Sequence, residues 1–129
     1  MDNFDKEILR ILKENAREKF VIIAKKVGLS EGAVRQRIKK MIRLGIIGRF
    51  TVDMGAFTEA FVMIKTDPVE TKAITKQVKT KFEKVYEVSG EYDIALLLTT
   101  ENIDELNDKV DEIRKIKGVI DTNTLIRLS

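Results

Sequence analysis

The sequence of 129 residues contains no cysteine, no histidine and no tryptophan. Without cysteine the chain can form neither disulfides nor thiolate metal sites. Without histidine it lacks the commonest metal ligand and the usual general base near neutral pH. We therefore expect no metal and no cofactor, and an enzyme is less expected than a binding protein. Carboxylate, lysine and hydroxyl chemistry stay open.

Long apolar runs are also missing, since none approaches the roughly 20 residues that span a bilayer. The N-terminal segment MDNFDKEILR is acidic and amphipathic, unlike a signal peptide. Both features predict a cytoplasmic protein with no membrane contact. Hydrophobic residues make up 43% of the chain and charged residues 35%, a composition that favours a folded chain over a disordered one.

Charge is divided unevenly along the chain. Residues 1–55 hold 13 Lys and Arg against 7 Asp and Glu, a net charge of +6, whereas residues 56–129 hold 11 against 14, a net charge of −3. A basic N-terminal part joined to an acidic remainder indicates that the first part meets a polyanion while the second has another task.

Apolar residues at helical spacing predict three N-terminal helices, over residues 5–14, 20–27 and 31–44. Gly28 ends the second helix and Ser30 caps the third. The third is predicted to pack through one apolar stripe: Val34, Ile38, Met41 and Ile42. Because a Gly-Leu-Ser turn separates the last two helices, this is a helix-turn-helix arrangement, in which the third helix lies in the major groove of double-stranded DNA.

The outer face of this third helix is basic. Residues 31–49 contain six Lys and Arg and one acidic residue, a net charge of +5, which suits counterion release from a phosphate backbone. Small Gly32 and Ala33 permit close approach to base edges, which Gln36 or Arg35 could read. The residues predicted to contact DNA are Ser30, Glu31, Gly32, Ala33, Arg35, Gln36, Arg37, Lys39, Lys40 and Arg43.

The C-terminal pattern has the order βαββαβ. Its predicted strands cover residues 60–65, 85–89, 93–100 and 119–128. Asp67, followed by Pro68 and Glu70, is predicted to begin the first helix, and Asn102 with Glu105 to begin the second. The order predicts a ferredoxin-like domain, with four antiparallel strands and both helices on one sheet face. The fold class is therefore α+β.

We expect a helix-turn-helix domain over residues 1–47, a linker strand over 48–58 and a ferredoxin-like domain over 59–129. The linker prediction rests on the loose alternation in IIGRFTVDM. One sheet face is left uncovered, and the apolar residues expected there are Phe61, Met63, Leu96 or Leu98. Such faces usually bury against another chain, so a homodimer is predicted.

Short matches in order along the chain carry a resemblance to a known family. In the N-terminal half they are Asp5, Ile8-Leu9, Asn15-Ala16-Arg17, Ile23-Ala24, Val27-Gly28-Leu29-Ser30, Val34, Arg37-Ile38 and Leu44-Gly45-Ile46-Ile47. In the C-terminal half they are Val88-Ser89-Gly90-Glu91-Tyr92-Asp93, Gly118-Val119, Thr122 and Thr124. Together they resemble the Lrp/AsnC family, the feast/famine regulators of bacteria and archaea, over essentially the whole chain.

The resemblance implies transcriptional control by dimers that form largely through the C-terminal domain and commonly assemble into octamers. It also implies an amino acid effector bound between dimers near the family's Gly-x-Tyr-Asp turn, with archaeal members that bind lysine, arginine or glutamine as conceivable examples. One departure is the segment between Ile47 and Ala60, which is shorter than in the family. The resemblance therefore says less about the linker and about the orientation of the two domains than about the domains themselves.

A free amino acid needs an anion for its ammonium and N–H donors for its carboxylate, and residues 90–93 offer both. Thr122 and Thr124 share one face of their strand and add two hydroxyls. The predicted effector-binding residues are Gly90, Glu91, Tyr92, Asp93, Thr122 and Thr124, with Asp93 or Glu91 holding the ammonium. The same residues can instead be a plain turn with solvated acids and ordinary strand threonines.

Two other functions stay open at this point. One is an architectural protein that wraps DNA with little sequence preference and binds no effector. The other is a small enzyme or metabolite-binding protein whose basic helices are incidental, although the sequence contains no recognisable nucleophile–base pair or metal cluster.

Overall fold

The computed structural model describes residues 1–55 and 57–129. The chain divides into two compact units, Met1–Asp53 and Met54–Ser129. No helix within the described residues is long and apolar enough to cross a membrane.

The first unit consists of three helices, α1 (Asn3–Glu14), α2 (Phe20–Val27) and α3 (Glu31–Arg43). The predicted cap of the third helix is present, because the Ser30 Oγ accepts a hydrogen bond of 3.1 Å from the Ala33 N–H. Gly28 ends α2 with φ at +79°, in the left-handed region that favours glycine. The predicted three-helix order is confirmed.

The core of this unit comes from one face of each helix. Its buried residues are Ile8, Ile11, Leu12, Ile23, Ala24, Val27, Val34, Ile38 and Met41. Ile42 was predicted to join this stripe but is exposed. Since Val34, Ile38 and Met41 already fill the inner face, a residue one step beyond Met41 turns about 100° away from it.

The predicted linker strand is wrong as far as Gly55. No strand runs through residues 46–55, and the predicted residue Ala56 lies outside the described residues. The chain instead folds back at the end of α3, where the Ile46 and Ile47 N–H groups both donate to the Met41 carbonyl. Alternating residues form a strand only where a neighbouring strand pairs with their backbone, and residues 46–55 have none.

The second unit is a four-stranded antiparallel sheet with two helices. Its elements are β1 (Thr58–Thr66), α4 (Thr71–Lys79), β2 (Lys84–Glu87), β3 (Ile94–Thr100), α5 (Ile103–Arg114) and β4 (Val119–Ile126). The strand order across the sheet is β2-β3-β1-β4, so β2 and β4 are the edge strands. The predicted ferredoxin-like βαββαβ order is confirmed.

Helix α4 begins at Thr71 rather than next to Asp67, which corrects the predicted start. The Asp67 carboxylate does accept a hydrogen bond, of 3.1 Å from the Val69 N–H, but it closes a turn rather than a helix. Val69 is consequently 88% exposed. Pro68 and the two residues after it form a turn. The Asp67 side chain closes this turn as an Asx turn, which competes with its use as a helix N-cap.

The second helix begins as predicted. The Asn102 Oδ1 accepts 2.8 Å from the Glu105 N–H, and the Glu105 carboxylate reaches back to the Glu101 N–H at 2.9 Å. The first bond satisfies a donor that the first turn of a helix leaves open, and the second ties the residue before the cap to the helix.

Both helices pack on one sheet face. The buried core there contains Ala60, Val62, Ile64, Ile74, Val78, Val85, Ile94, Leu96, Leu98, Leu106, Val110 and Ile113. Leu96 and Leu98 were predicted for the open face but pair with Val62 and Ala60 and point at the helices. Because β3 carries apolar residues on both faces, its sequence does not show which alternate residues point at the helices. The prediction of Leu96 and Leu98 for the open face is therefore wrong.

The opposite sheet face is not covered by any part of the second unit that the structure describes. Phe61 pairs with Leu97 on one side and Leu125 on the other, so these three side chains lie in a row. Phe61 and Leu125 are each 53% exposed. The predicted open apolar face exists, with Leu97 and Leu125 in place of Leu96 and Leu98.

Candidate DNA-binding helix and effector groove

The outer face of α3 carries most of the residues predicted to contact DNA. Gly32, Gln36, Lys39, Lys40 and Arg43 are exposed, as are Ser30, Glu31 and Arg35 at the start of the helix. Ala33 and Arg37 are half-buried. The helix therefore presents small residues near its N-terminus and basic residues beyond them.

The guanidinium of Arg35 contacts two neighbouring side chains. It forms an ion pair of 3.0 Å with Glu31, one helical turn earlier, and lies 5.3 Å from the centre of the Phe20 ring. The ion pair joins exposed side chains, where such pairs contribute little stability. Arg35 therefore keeps the freedom to exchange Glu31 for another anion.

Two carboxylates bind Arg37, those of Asp2, the N-cap of α1, and Asp5 in the first turn of α1. The Arg37 Nη1 donates to both carboxylate oxygens of Asp2, at 2.8 and 2.7 Å, and to Asp5 at 3.1 Å. The hydrogen bond from the Asp5 N–H, followed by that from Arg37, lowers the pKa of the Asp2 carboxyl. The hydrogen bonds that Arg37 donates to Asp2 and then to Asp5 raise the pKa of Arg37.

Lys39, Lys40 and Arg43 form no ion pair with any residue that the structure describes. Their side chains lie at the surface, where water solvates the charges. They therefore need shed no protein partner before meeting a phosphate, which makes them the most available cations of the helix.

The predicted effector turn lies between β2 and β3. Gly90 has φ at +131°, which favours glycine there, and the Val88 N–H donates to the Asp93 carbonyl at 2.9 Å. Glu91 is exposed and Tyr92 half-buried. The turn is thus closed by its own backbone and leaves the Glu91 side chain to solvent.

Asp93 has a structural engagement that the sequence did not indicate. Its Oδ2 accepts 2.8 Å from the Thr66 N–H and 3.3 Å from the Thr66 hydroxyl. The same hydroxyl lies 2.6 Å from that of Thr71 at the start of α4. The Asp93 carboxylate therefore joins the end of β1 to the beginning of α4.

Thr122 and Thr124 are not brought next to this turn within one chain. Ile94, which follows Asp93, and Thr122 both pair with Ile64, so β1 lies between them. Two strand spacings separate their Cα atoms by about 10 Å. The two halves of the predicted effector site lie on opposite sides of β1.

The two threonines line a groove of about 540 Å³ between α5 and β4. Its polar lining adds Asn107, Asp111, Arg114 and Asn123. The Arg114 Nε donates to the Thr122 hydroxyl at 2.8 Å, and its Nη1 lies 3.7 Å from Asp111.

Sequence reasoning missed the α5 side of this groove. Asn107, Asp111 and Arg114 lie at positions i, i+4 and i+7, the spacing of one helix face. That spacing is a signal in the sequence from which these three residues could have been found. The groove thus presents a cation, an anion, amides and hydroxyls to a small polar ligand.

No group of three or more acidic residues within the described chain is arranged to hold a metal ion. What the two units can do is bind: a basic helix for a polyanion, and a polar groove for a small molecule. A helix-turn-helix unit joined to an α+β unit of this kind defines a DNA-binding regulator.

Comparison with known proteins specifies the family. The family model of the AsnC-type helix-turn-helix domain matches residues 1–42, and that of the Lrp/AsnC ligand binding domain matches residues 59–129. The chain belongs to the Lrp/AsnC family of transcription regulators, with a helix-turn-helix DNA-binding domain and a ligand-binding domain. The resemblance inferred from the sequence is confirmed.

Relatives span the whole chain. The HTH-type transcriptional regulator LysM of Sulfurisphaera tokodaii is 44% identical over 133 residues, covering 99% of this chain and 95% of the relative. The structure of E. coli AsnC superposes with a TM-score of 0.78 at 27% identity, covering 100% and 93% of the two chains. A Neisseria meningitidis transcriptional regulator solved as a complex with L-Met shares the fold, with a TM-score of 0.81 at 22% identity and coverage of 100% and 90%.

Proposed function

We propose that this regulator reads double-stranded DNA through α3, with Gln36 and the small Gly32 and Ala33 at the bases and Lys39, Lys40 and Arg43 at phosphates. The observation that carries the proposal is the exposed row of these three cations, none in an ion pair with a described residue, beside that small-residue patch. Ser30, Glu31 and Arg35 flank it. A symmetric dimer would place two such helices in successive major grooves, so the operator should be roughly palindromic.

Salt dependence tests this interface. Removing one phosphate contact should reduce the slope of log affinity against log salt by about 0.9. The triple variant Lys39→Met, Lys40→Met and Arg43→Met should therefore flatten the slope by roughly 2 to 3. The matched control replaces Lys72, Lys76 and Lys79 on α4 by Met and should leave it unchanged. Equal slopes for both triple variants would refute the interface.

Footprinting separates this function from an architectural one. Discrete protected half-sites support a sequence-reading regulator, whereas uniform coverage of the DNA would mean a wrapping protein with little sequence preference. The basic helix face would then serve phosphates alone.

For the second unit, we propose that it binds an amino acid effector in a site built from two copies of the chain. One copy supplies the groove with Thr122, Thr124 and Arg114, and the other supplies the turn with Glu91. The support is their position on opposite sides of β1, two strand spacings apart within one chain. The fold relative solved with L-Met is consistent with a ligand of this class.

Within this site, Arg114 binds the effector carboxylate, because a guanidinium matches a carboxylate in a two-pronged geometry. Glu91 accepts from the ammonium, since its carboxylate is exposed while Asp93 is engaged by Thr66. Gly90 and Tyr92 shape the turn. The site needs no metal, no cofactor and no catalytic group.

Calorimetry with each of the common amino acids tests the effector site. Arg114→Met should abolish the heat of binding for the amino acid that binds the unaltered chain, and Lys76→Met on α4 should preserve it. Undiminished binding by Arg114→Met would rule out the groove. Absence of heat with every amino acid would rule out this effector class.

The dimer is proposed to form through the open sheet face around Phe61, Leu97 and Leu125. Light scattering at micromolar concentration should give at least twice the 14.8 kDa of one chain, and an octamer would give eight times that mass. Phe61→Lys should return the mass toward one chain, whereas Val69→Lys, on an exposed turn, should not. A single-chain mass for the unaltered protein would overturn the proposal.

The division of labour follows from these sites. Residues 1–47 contact DNA, and residues 59–129 assemble the protein and sense the effector. We propose the cytoplasm as the place of action, because a regulator that binds DNA acts where the DNA lies.

A further inference from the structure

One basic residue of α3 does not fit the role of a DNA contact. Arg37, which the sequence placed among the DNA-contacting residues, is clasped by α1 and its cap. Its guanidinium donates to Asp2 and Asp5 and lies 5.1 Å from the centre of the Phe4 ring. We call Asp2, Phe4, Asp5 and Arg37 the acid clasp.

The acid clasp joins α3 to the start of α1. Asp2 is the N-cap of α1, where its Oδ1 also accepts 2.9 Å from the Asp5 N–H. The same oxygen therefore caps one helix and binds the other. All three hydrogen bonds come from the one Nη1 atom, so they join α3 to the first turn of α1 at a single point, and the Phe4 ring against the guanidinium is a second contact.

The clasp also lies beside the bases' expected position. A groove of about 540 Å³ is lined by Met1, Asp2, Asp5, Ala33, Gln36, Arg37 and Lys40, so it adjoins the proposed reading residues. The two carboxylates and one guanidinium of the clasp together carry a net charge of −1. Carboxylates next to a phosphate-binding face oppose DNA binding by simple charge, and the N-cap role of Asp2 accounts for only one of the two.

We propose that Arg37 is a positioning residue, which fixes the recognition helix on α1 through Asp2 and Asp5 and does not donate to DNA. The clasp gives sequence discrimination by holding Ala33 and Gln36 at a defined depth and angle. Reading groups must be held to within about half an ångström of their working geometry. This inference rests on the proposed DNA-reading role of α3.

Neutralising the acids separates this role from the alternative by sign. If Asp2 and Asp5 position Arg37, the double variant Asp2→Asn and Asp5→Asn should bind a preferred duplex more weakly, although it removes two negative charges. If instead the acids only compete with phosphate for Arg37, releasing it should strengthen binding and steepen the salt slope by about 0.9. Asn is chosen at position 2 because it also caps helices well.

The probes are a duplex selected from a random library with the full unaltered chain and a scrambled duplex of equal composition. We expect the affinity ratio between them to fall roughly tenfold or more in the double variant, within the range of losing one well-read base pair. Arg37→Met should give a similar fall, and combining all three substitutions should add little, because the residues act as one unit. Lys39→Met is the control, which should weaken binding to both duplexes alike.

Thermal unfolding of each variant verifies that α1 and α3 remain folded. A higher affinity for either duplex with a steeper slope would overturn the proposal, and so would an unchanged ratio, since the clasp would then position nothing. Failure of the unaltered chain to select any duplex would count against the DNA-reading role itself. The sign of the affinity change on a plain duplex would still decide whether Arg37 is released to phosphate.

Discussion

Gly118, between α5 and β4, is the glycine whose replacement should be most costly. Its φ is +95°, and a Cβ added there would lie 2.6 Å from the Glu70 Cβ, 2.8 Å from the Glu70 Cγ and 3.0 Å from the Ile74 Cδ1. Its carbonyl also accepts 2.8 Å from the Asp67 N–H. The glycine thus lets the chain entering β4 pass directly against the turn before α4.

Gly118→Ala combines two costs. Left-handed backbone costs a non-glycine residue about 1–2 kcal/mol, and forcing a methyl group into packed atoms costs about 1–3 kcal/mol. The Glu70 Cβ cannot swing aside as the end of a side chain can, so the backbone must move. We expect a total loss of about 2–5 kcal/mol in the free energy of unfolding.

Gly90→Ala is the matched control in the same unit. Gly90 has φ at +131°, but an added Cβ would meet nothing within 4 Å, so only the backbone cost applies. Urea unfolding can be followed by tyrosine fluorescence, because both tyrosines, Tyr86 and Tyr92, lie in the second unit and the chain has no tryptophan. Protein concentration must be equal throughout, since assembly contributes to stability.

The midpoint for Gly118→Ala should lie below that for Gly90→Ala by roughly 1 M urea or more, given a slope of about 1 kcal/mol per molar for a unit of this size. Coincident midpoints would show that the contact with Glu70 and Ile74 carries no weight, and the packing argument would fail.

Three further outcomes are expected. Asn102→Ala should destabilise the second unit by about 1 kcal/mol through loss of the α5 cap, which urea unfolding measures. Asp93→Ala should cost about 1–3 kcal/mol in the same assay, because the Thr66 N–H loses its acceptor; a smaller loss than for Asn102→Ala would contradict that account. The first unit should lose stability as pH falls below 3.8, because the Asp5 N–H lowers the pKa of Asp2 from that value and protonation then removes a favourable interaction. Circular dichroism melts at pH 5 and pH 3 should show this loss, and Asp2→Asn should reduce it.

Elements with local signals were predictable from the sequence. The Ser30 and Asn102 caps, the Gly28 stop and the helical spacing of apolar residues depend on neighbours within a few positions, and each is found where predicted. These signals give the element order βαββαβ of the second unit. The sheet topology follows from that order because the connections leave little choice.

Features set by distant contacts were not predictable. The faces of β3 depended on its pairing with β1, which placed Leu96 inside and Leu97 outside. Likewise, the partners of Arg37 lie more than 30 positions away, and a basic residue on a basic helix gives no sign of them. The groove at Arg114 depends on α5 lying along β4, which only the fold determines.

The central claim is that this chain reads a DNA sequence. Fluorescence anisotropy should be measured for the full chain on the DNA upstream of its own gene and on a scrambled fragment, near physiological salt. We predict tighter binding to the upstream fragment by roughly 10³-fold or more, as is typical of specific regulators. Equal affinity for the two fragments would contradict the claim for this site and favour an architectural protein held by phosphates alone.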